Sequence, residues 1–408
     1  MILDTHAAEL NDVAYGAGIR RTRRPEDTLA DFGRFAKHFG ITRLANITGL
    51  DRIGIPTYLA VRPNARTLAV SQGKGATPAA AKASAFMEAS ELWHAEEPRL
   101  PLLLDSYASM RRRFDVIDLD LLSKRNPAPV RRDDLRLWVE GYDLIAERPC
   151  WVPAAVVYVS DTEPRPADLH MSSNGLASGN TFAEAMAHAA CELIERDANV
   201  MWLDDPSDPD GKAAQLDLST VDDPTCRGLI GRLDAAGLHR AAYDITSDIG
   251  VPAFAAVIAD AAMDVRGVGY AWGYGCHLAP EVALTRALTE AAQVRLTIIA
   301  GSRDDLPHSD ARQGDSDISE IAQLIQEPAP TRRFERHSLA GASPRADVRT
   351  IVGRLRAAGI QSLVAVDLSH SDVGIPVIKL LATQLELALG DCARNVRARE
   401  RYGMAVSA

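Results

Sequence analysis

The apolar residues of the chain form short runs, and four of these runs directly follow a proline. Pro56, Pro252 and Pro376 each end a similar segment containing Asp, then Gly, an apolar residue and Pro, while Pro153 lacks the aspartate. A proline at the start of a strand is tolerated because its missing N–H lies outside the hydrogen-bonded ladder. The pattern predicts four strands, at 57–61, 154–159, 253–258 and 377–381.

Three Ala-rich segments predict long helices, and each follows a glycine-rich turn. The turns lie at 72–75, 174–180 and 273–275, and the predicted long helices are Pro78–Glu97, Thr181–Asp197 and Pro280–Ile299. Shorter amphipathic helices are predicted at Leu229–Gly237 and Val348–Gly359, each ended by glycine. Strand pairs followed by helices three times over indicate an α/β or α+β fold with helices packed on the sheets. We predict the α/β class, with helices packed on mixed β-sheets.

Polar side chains recur at matched offsets on the three long helices. Positions i, i+4 and i+7 lie on one face of a helix, so each set projects in one direction. In chain order these positions are Ser84, Glu88 and Glu91; His188, Glu192 and Glu195; and Arg286, Glu290 and Gln293, with Glu184 at the start of the second helix. Acids on the inner face of an apolar helix are costly unless they are paired or bound to cations.

Carboxylate oxygens without His or Cys suit Mg²⁺, which commonly joins one or two carboxylates to substrate phosphates. Arg196 and Arg286 would then contact the phosphate oxygens. The sequence thus predicts a nucleotide–magnesium site assembled from three helices.

Each of these residues also has an ordinary structural explanation. A single Glu-x-x-Glu pair usually lies on a solvated helix face, paired with Lys or Arg. Against this, the offset from Gly75 to Glu88 equals that from Gly179 to Glu192. Lys74 lies in a glycine turn that lacks the spacing of a phosphate-binding P-loop, so it could contact a phosphate or simply be solvated. His188 could equally be a core residue bonded to the backbone.

Composition and charge narrow the classes of protein. The hydrophobic fraction is 47%, and 45 Lys+Arg against 55 Asp+Glu give a net charge of −10. These values exclude a disordered chain and disfavour nucleic acid or an anionic membrane as a partner. No run approaches about 18 apolar residues and the first ten residues do not form a signal peptide, so we expect a cytoplasmic protein.

The five cysteines are far apart and none forms a Cys-x-x-Cys pair. A zinc ribbon or a thioredoxin-like site is therefore unsupported. We expect the cysteines to be small buried hydrophobes.

Taken in order, several motifs make the chain resemble the YcaO-domain family. The motifs are residues 46–56 (NITGLDRIGIP), 71–75 (SQGKG), 87–96 (MEASELWHAE), 173–180 (SNGLASGN), 191–197 (CELIERD) and 286–290 (RALTE). The resemblance spans about Gly18 to Pro376 and implies one composite domain over 1–408, with 377–408 as a divergent C-terminal tail. The chain is most similar to stand-alone members of bottromycin-type pathways and to members paired with a TfuA protein.

The resemblance implies an ATP- and Mg²⁺-dependent enzyme that phosphorylates a backbone amide oxygen of a ribosomally made precursor peptide. The implied reaction is cyclodehydration of cysteine to thiazoline or closure of a macroamidine. Peptide thioamidation with a TfuA-type partner is one alternative, and a non-catalytic binding subunit with the same fold is another. A homodimer is possible in this class, and no general base is identified.

The resemblance also implies roles for individual residues. The metal ligands would be Glu88, Glu91, Glu192 and Glu195. The nucleotide contacts would be Arg21, Lys74, Ser84, Asn180, Glu184, Arg196, Arg286, Glu290 and Gln293. Leu92 stands where many members have an arginine, which puts one phosphate contact in doubt. We also expect no leader-binding module ahead of Gly18 and no proline-rich tail.

Overall fold

The structure is a computed structural model, and its description covers residues 14–16, 18–124, 129–159, 168–208, 211–260, 268–302, 321, 325, 330 and 332–387. The helices in this part of the chain are α1 (Pro25–Phe32), α2 (Pro78–Glu96), α3 (Tyr107–Arg113), α4 (Ala154–Val157), α5 (Phe182–Leu203), α6 (Pro224–Ala235), α7 (Pro280–Ala300) and α8 (Pro344–Ala357). The strands are β1 (Ala14–Gly16), β2 (Ile19–Arg21), β3 (Arg43–Asn46), β4 (Thr57–Val61), β5 (Val70–Lys74), β6 (Leu103–Ser106), β7 (Leu135–Asp143), β8 (Arg148–Pro153), β9 (Leu176–Ser178), β10 (Leu216–Asp217), β11 (Leu238–Asp244), β12 (Ala253–Asp260), β13 (Tyr270–Cys276), β14 (Arg332–Arg333), β15 (Leu363–Asp367) and β16 (Val377–Ala382).

Three sheets organise the fold. One contains β3-β4-β5, a second contains β11-β12-β13, and the third has the order β6-β7-β15-β16-β9 with β8 paired to β7. The ladders of these sheets are antiparallel, whereas the short β10–β14 pair is parallel. Together with the long helices these sheets confirm the predicted α/β class, although the three sheets are antiparallel and not mixed as predicted.

Each long helix packs closely on the edge of one sheet. Helix α2 contacts β4 and β5, α7 contacts β12 and β13, and α5 contacts β9 and β16. Glycine in the strand and alanine in the helix allow this approach. A Cβ atom at Gly73 would lie 2.0 Å from the Ala85 nitrogen, and one at Gly273 would lie 2.1 Å from the Ala291 nitrogen. The predicted strand-pair and helix units are therefore present. The turns predicted at 72–75 and 273–275 are wrong, because Gly73, Gly273 and Gly275 lie within strands β5 and β13, where the missing side chain lets the helix approach.

One predicted strand is wrong. The apolar run at 154–159 begins with the short helix α4, and the strand is β8, which ends at Pro153. Val152 and Pro153 already pair with Val139 and Trp138 in the β7–β8 ladder. A short, fully apolar run has no periodicity that separates a strand from a buried helical turn. Strand β9 pairs with β16, from the C-terminal part of the chain.

Several helix ends also differ from the prediction. Helix α5 continues through 198–203, beyond its predicted end, because these residues extend its buried face. Helices α6 and α8 begin earlier than predicted, at Pro224 and Pro344. The side chains of Asp223 and Ser343 accept hydrogen bonds from the first-turn N–H groups, which is the usual arrangement before a proline in the first turn.

A buried ion-pair network joins two of the sheets and gives the first proline motif a structural role. Arg295 of α7 donates from Nε to Asp51 at 2.9 Å and from Nη1 to Asp260 at 2.9 Å. Arg52 also donates to Asp260, at 2.8 Å. Removing one member of a buried pair typically costs about 3–5 kcal/mol because the other charge stays buried. The network therefore fixes the segment before β4 against α7 and β12.

Four of the cysteines, Cys150, Cys191, Cys226 and Cys276, are free and buried, as predicted. Cys392 and the tail from 388 lie outside the described residues. Among the helices that the structure describes, none is long and apolar enough to cross a membrane.

Candidate functional site

A single cavity of about 1500 Å³ lies between the three long helices. Its walls include the edge strands β5, β9 and β13, each of which belongs to a different sheet. Every residue for which a metal or nucleotide role is predicted lines this cavity: Arg21, Lys74, Ser84, Glu88, Glu91, Asn180, Glu184, Glu192, Glu195, Arg196, Arg286, Glu290 and Gln293. The structure thus brings the predicted set together, although the separate roles stay predictions.

The last polar residue of each helical set contacts the edge strand of the next sheet. Glu91 of α2 accepts hydrogen bonds from the backbone N–H and the hydroxyl of Ser178 in β9, both at 2.7 Å. Glu195 of α5 accepts one from the N–H of Cys276 in β13, at 3.0 Å. One oxygen of each carboxylate is therefore held by a neighbouring strand, and that contact orients the whole carboxylate.

The third helix completes this arrangement with the opposite polarity. The side-chain amide of Gln293 in α7 donates to the backbone carbonyl of Gln72 in β5, at 3.0 Å. The contacts run from α2 to β9, from α5 to β13 and from α7 back to β5, and so form a closed cycle around the cavity. The strand in the third contact offers a carbonyl instead of an N–H, which explains why an amide replaces the carboxylate at this position.

The middle residue of each set faces the cavity with different partners. Glu192 accepts a hydrogen bond from the N–H of Gly175 at 3.1 Å, and its other oxygen lies 3.9 Å from the Arg196 guanidinium. Glu290 forms an ion pair with Lys74. Glu88 is half-buried on the cavity wall.

Burial and crowding perturb the acids of the cavity. Burial raises the pKa of Glu91 to about 8, and repulsion from Glu88 and Glu192 adds to this while Ser178 opposes it. Burial also raises the pKa of Glu195, which Glu290 repels. Such a group of acids favours a bound cation, because a positive charge relieves both the burial cost and the repulsion.

The donor set fits Mg²⁺ that is shared with a nucleotide. Within the described ranges, no group of three or more His, Cys, Asp and Glu residues is arranged to hold a metal ion by itself. Mg²⁺ usually takes only one or two carboxylates and completes its shell with phosphate oxygens and water. The spread of acids over three helices is consistent with that mode of binding.

Two guanidinium groups of the cavity have hydrogen-bonding capacity to spare. The Nε atoms of Arg196 and Arg286 are buried and have no hydrogen-bond partner among the described residues. Burial would lower the pKa of Arg196, but Glu195, Glu290 and Glu192 raise it, so the group is charged. Buried, charged donors without partners fit an anionic ligand such as a phosphate.

His188 belongs to the site and is not a core residue bonded to backbone. Its Nδ1 lies 3.2 Å from Nη2 of Arg21. Burial lowers the pKa of His188 well below its ordinary value, and Arg286 and Arg21 lower it further. His188 is therefore a neutral ring among cations at neutral pH.

Glu184 and Asn180 hold the N-terminal segment at the rim of the cavity. One oxygen of Glu184 accepts from the N–H and the side-chain amide of Asn180, at 2.9 and 3.0 Å, and the other accepts from the N–H of Thr22. The hydroxyl of Thr28 donates to the Asn180 side chain at 2.8 Å. These contacts give both residues a structural role beside their predicted nucleotide contact.

Leu92 is a buried residue of the hydrophobic core. Its side chain is 8% exposed and packs in the apolar cluster that contains Phe86 and Ala89, at the edge of the cavity. The missing arginine is thus replaced by apolar packing.

Several lining residues were not predicted from the sequence. His277 lies between β13 and α7, and burial lowers its pKa to about 3, with Arg286 contributing. Gln72 and Thr297 form a side-chain hydrogen bond, and Trp272 adds an aromatic face. Gln72 was predicted to begin a glycine-rich turn but lies within strand β5. An isolated His or Trp carries no spacing that marks it as part of a site.

Comparisons with known proteins agree with this geometry. The family model described as YcaO cyclodehydratase, ATP- and Mg²⁺-binding, matches residues 72–386. An uncharacterized protein in the tfuA 3′ region of Rhizobium leguminosarum bv. trifolii is 35% identical over 94% of this chain and 93% of its own. An uncharacterized protein of Methanothermobacter thermautotrophicus is 34% identical over 89% of this chain and 94% of its own.

Two solved structures share the fold. YcaO from Methanopyrus kandleri bound with AMPPCP and Mg²⁺ has a TM-score of 0.73 and 24% identity, covering 92% of this chain and 95% of that one. A heterocyclase in complex with substrate and cofactor has a TM-score of 0.75 and 22% identity over 94% of this chain. The present chain spans only 55% of that heterocyclase chain. The family model, the relatives and the shared fold together show that the chain belongs to the YcaO family, whose cofactors are ATP and Mg²⁺.

Proposed function

We propose that this protein uses ATP and Mg²⁺ to phosphorylate a backbone amide oxygen of a ribosomally made precursor peptide. A cysteine thiol or an amine of the same peptide then attacks the amide carbon, and the phosphorylated oxygen leaves as phosphate. The product is a thiazoline or a macroamidine. Phosphorylation is needed because an amide oxygen is otherwise a poor leaving group.

The observation that carries the proposal is that one cavity contains both the clustered acids and the two guanidinium Nε atoms that have no hydrogen-bond partner among the described residues. Bound ATP with Mg²⁺ would supply the phosphoryl group. The Nε donors of Arg196 and Arg286 would bind phosphate oxygens, and Lys74 would offset the negative charge of the phosphates. Positioning and charge stabilisation of this kind account for most of the catalysis of phosphoryl transfer.

We assign the metal to the acids of the first two helices. Glu88, Glu91, Glu192 and Glu195 would hold Mg²⁺. In Glu91 and Glu195 one oxygen is already hydrogen-bonded to a strand, and the proposal gives the other oxygen to the metal. The remaining predicted residues would contact the nucleotide.

We also propose that residues 1–408 form one composite domain. The cavity takes its walls from three sheets and three helices, and the Arg295 network ties two of those sheets together. The site would not exist in a fragment that contained only one of the sheets.

A second candidate function is peptide thioamidation with a TfuA-type partner. The observation that favours it is the relative in the tfuA 3′ region, which is 35% identical over nearly the whole chain. In this reaction the same phosphorylated amide would be attacked by sulfide. A non-catalytic binding subunit is the third candidate, and the clustered buried acids speak against it because a scaffold has no physical need for them.

Mass spectrometry of a precursor peptide separates these functions. The purified protein is incubated with the peptide, ATP and Mg²⁺, and a Glu192→Gln variant serves as the control. Loss of water from the peptide supports ring formation, whereas exchange of oxygen for sulfur only when a TfuA-type protein and sulfide are added supports thioamidation. Peptide binding without ATP turnover under either condition would contradict both enzymatic functions and favour the binding subunit.

A further inference from the structure

A lysine in the centre of the largest sheet is buried although its strand is otherwise apolar. Lys379 lies on β16, between β15 and β9, and is 1% exposed. Its neighbours Ile378 and Leu380 are fully buried hydrophobic residues. An apolar side chain would satisfy the packing of such a strand, and burying a cation is costly unless its donors are satisfied. The charge or the donors of Lys379 must therefore have a use.

The ammonium group of Lys379 holds a loop that leads into the cavity. It donates to the backbone carbonyls of Ser172 and Asn174, at 2.7 and 2.8 Å. Among the described residues no carboxylate lies within ion-pair distance of it, so these carbonyls are its close partners. The loop is also tied to the chain near its C-terminal end, because the Asn174 amide donates to the carbonyl of Leu387 at 2.9 Å.

The residue after this loop makes the direct contact with the site. The N–H of Gly175 donates to Glu192 at 3.1 Å. Gly175 has a φ of +77°, and a Cβ atom here would lie 2.4 Å from the carbonyl oxygen of Leu380. The N–H of Leu380 in turn donates to the carbonyl of Gly175 at 2.8 Å. The position of the Gly175 N–H is thus determined by β16 and by the two carbonyls that Lys379 holds.

Lys379 and Glu192 also interact electrostatically. Burial lowers the pKa of Lys379 to about 8, while the carboxylate of Glu192 raises it. One oxygen of Glu192 lies near the Arg196 guanidinium, and the other accepts from the Gly175 N–H.

We propose that Lys379 is a positioning residue that orients Glu192 for Mg²⁺ by holding the loop of residues 172–174, which places the N–H of Gly175. This inference rests on the proposed role of Glu192 as a metal ligand. Lys379 itself does not line the cavity. Groups that orient a metal ligand commonly change metal affinity when they are replaced.

The test measures binding of AMPPCP as a function of Mg²⁺ concentration by calorimetry, on the full chain. In Lys379→Met, which keeps the length of the side chain and removes its charge and donors, we expect the Mg²⁺ concentration for half-maximal binding to rise roughly tenfold. Binding of AMPPCP in EDTA should stay within about twofold, because the nucleotide contacts are elsewhere. Lys37→Met is the matched control, since it makes the same chemical change on the exposed surface and should leave the midpoint unchanged.

A Glu192→Gln variant separates this inference from the proposed function. If Glu192→Gln keeps the wild-type Mg²⁺ midpoint, the metal role of Glu192 fails and both proposals fall with it. If Glu192→Gln shifts the midpoint but folded Lys379→Met does not, only the role of Lys379 is overturned.

Folding of the variants is checked by circular dichroism and thermal unfolding. If Lys379→Met does not fold, Lys379→Gln is used, which keeps an amide donor but is too short to hold both carbonyls. A wild-type midpoint in that variant would overturn the proposal. Loss of the fold in both variants would also overturn it, because a residue whose role is to orient Glu192 must be replaceable without loss of the fold.

Discussion

The closed cycle of contacts predicts that a carboxylate cannot replace the amide of Gln293 without loss of stability, whereas an amide can replace the carboxylate of Glu195. In Gln293→Glu, the side chain can no longer donate to the carbonyl of Gln72, so two acceptors face each other where a hydrogen bond of 3.0 Å stood. Losing that bond and leaving a partly buried carbonyl without its donor should lower the free energy of unfolding by about 1–2 kcal/mol. The reciprocal change, Glu195→Gln, keeps an oxygen acceptor for the N–H of Cys276 and removes a buried charge that Glu290 repels. It should leave stability unchanged or raise it slightly.

Urea unfolding at pH 7, without nucleotide or Mg²⁺ and followed by tryptophan fluorescence, measures both changes. The midpoint of Gln293→Glu should fall while the denaturant slope stays constant, since the surface exposed on unfolding is the same. Equal stability of Gln293→Glu and wild type would refute the reasoning. So would a loss in Glu195→Gln as large as that in Gln293→Glu, because the cycle would then not distinguish donors from acceptors.

Three further predictions follow from the site and its surroundings. Glu192→Gln should abolish Mg²⁺-dependent ATP binding while leaving the circular dichroism spectrum intact. Wild-type ATP affinity in this variant would contradict the metal role of Glu192, and Glu147→Gln on the exposed surface is the control. Leu92→Arg should lower the free energy of unfolding by roughly 2–3 kcal/mol, measured by urea unfolding, because it replaces a buried apolar side chain with a charge; unchanged stability with tighter ATP binding would instead place this position in the site. Burial lowers the pKa of His94 to about 4, so the unfolded chain binds more protons than the folded chain below about pH 6.5. The free energy of unfolding should therefore fall by up to about 3 kcal/mol as the pH drops from 6.5 to 4. His94→Phe should show a shallower fall, and a fall equal to that of the wild type would contradict this assignment.

The long helices and their polar faces were predictable because helical spacing is a local property. Glu88, Glu91, Glu192 and Glu195 reach the same cavity as their i, i+4, i+7 pattern indicates. The strand at 154–159 was mispredicted because a short, wholly apolar run has no period that distinguishes strand from helix.

The partners of the acids could not be predicted from local pattern. Ser178 and Cys276 hold Glu91 and Glu195 through backbone N–H groups, which every residue type except proline supplies, and Ser178 adds its hydroxyl. Which strand lies beside which helix depends on the pairing of sheets across long sequence separations. Lys379 gives no sequence signal either, because one lysine in an apolar strand is an ordinary feature of an exposed edge.

The pairing of β9 with β16 has a consequence for the order in which the molecule is made. Leu176 of β9 pairs with Lys379 of β16, so β9 has no partner strand until some two hundred further residues have been synthesised. Contacts of such long sequence separation form slowly and leave apolar surface exposed in the meantime. Helix α5, which carries Glu192 and Glu195, lacks one of the strands against which it packs during that interval. During synthesis, the nucleotide site is therefore completed late. In a nascent chain that ends before β16, β13 is already available to hold Glu195, but β9 and the Gly175 N–H that contacts Glu192 lack the strand that positions them.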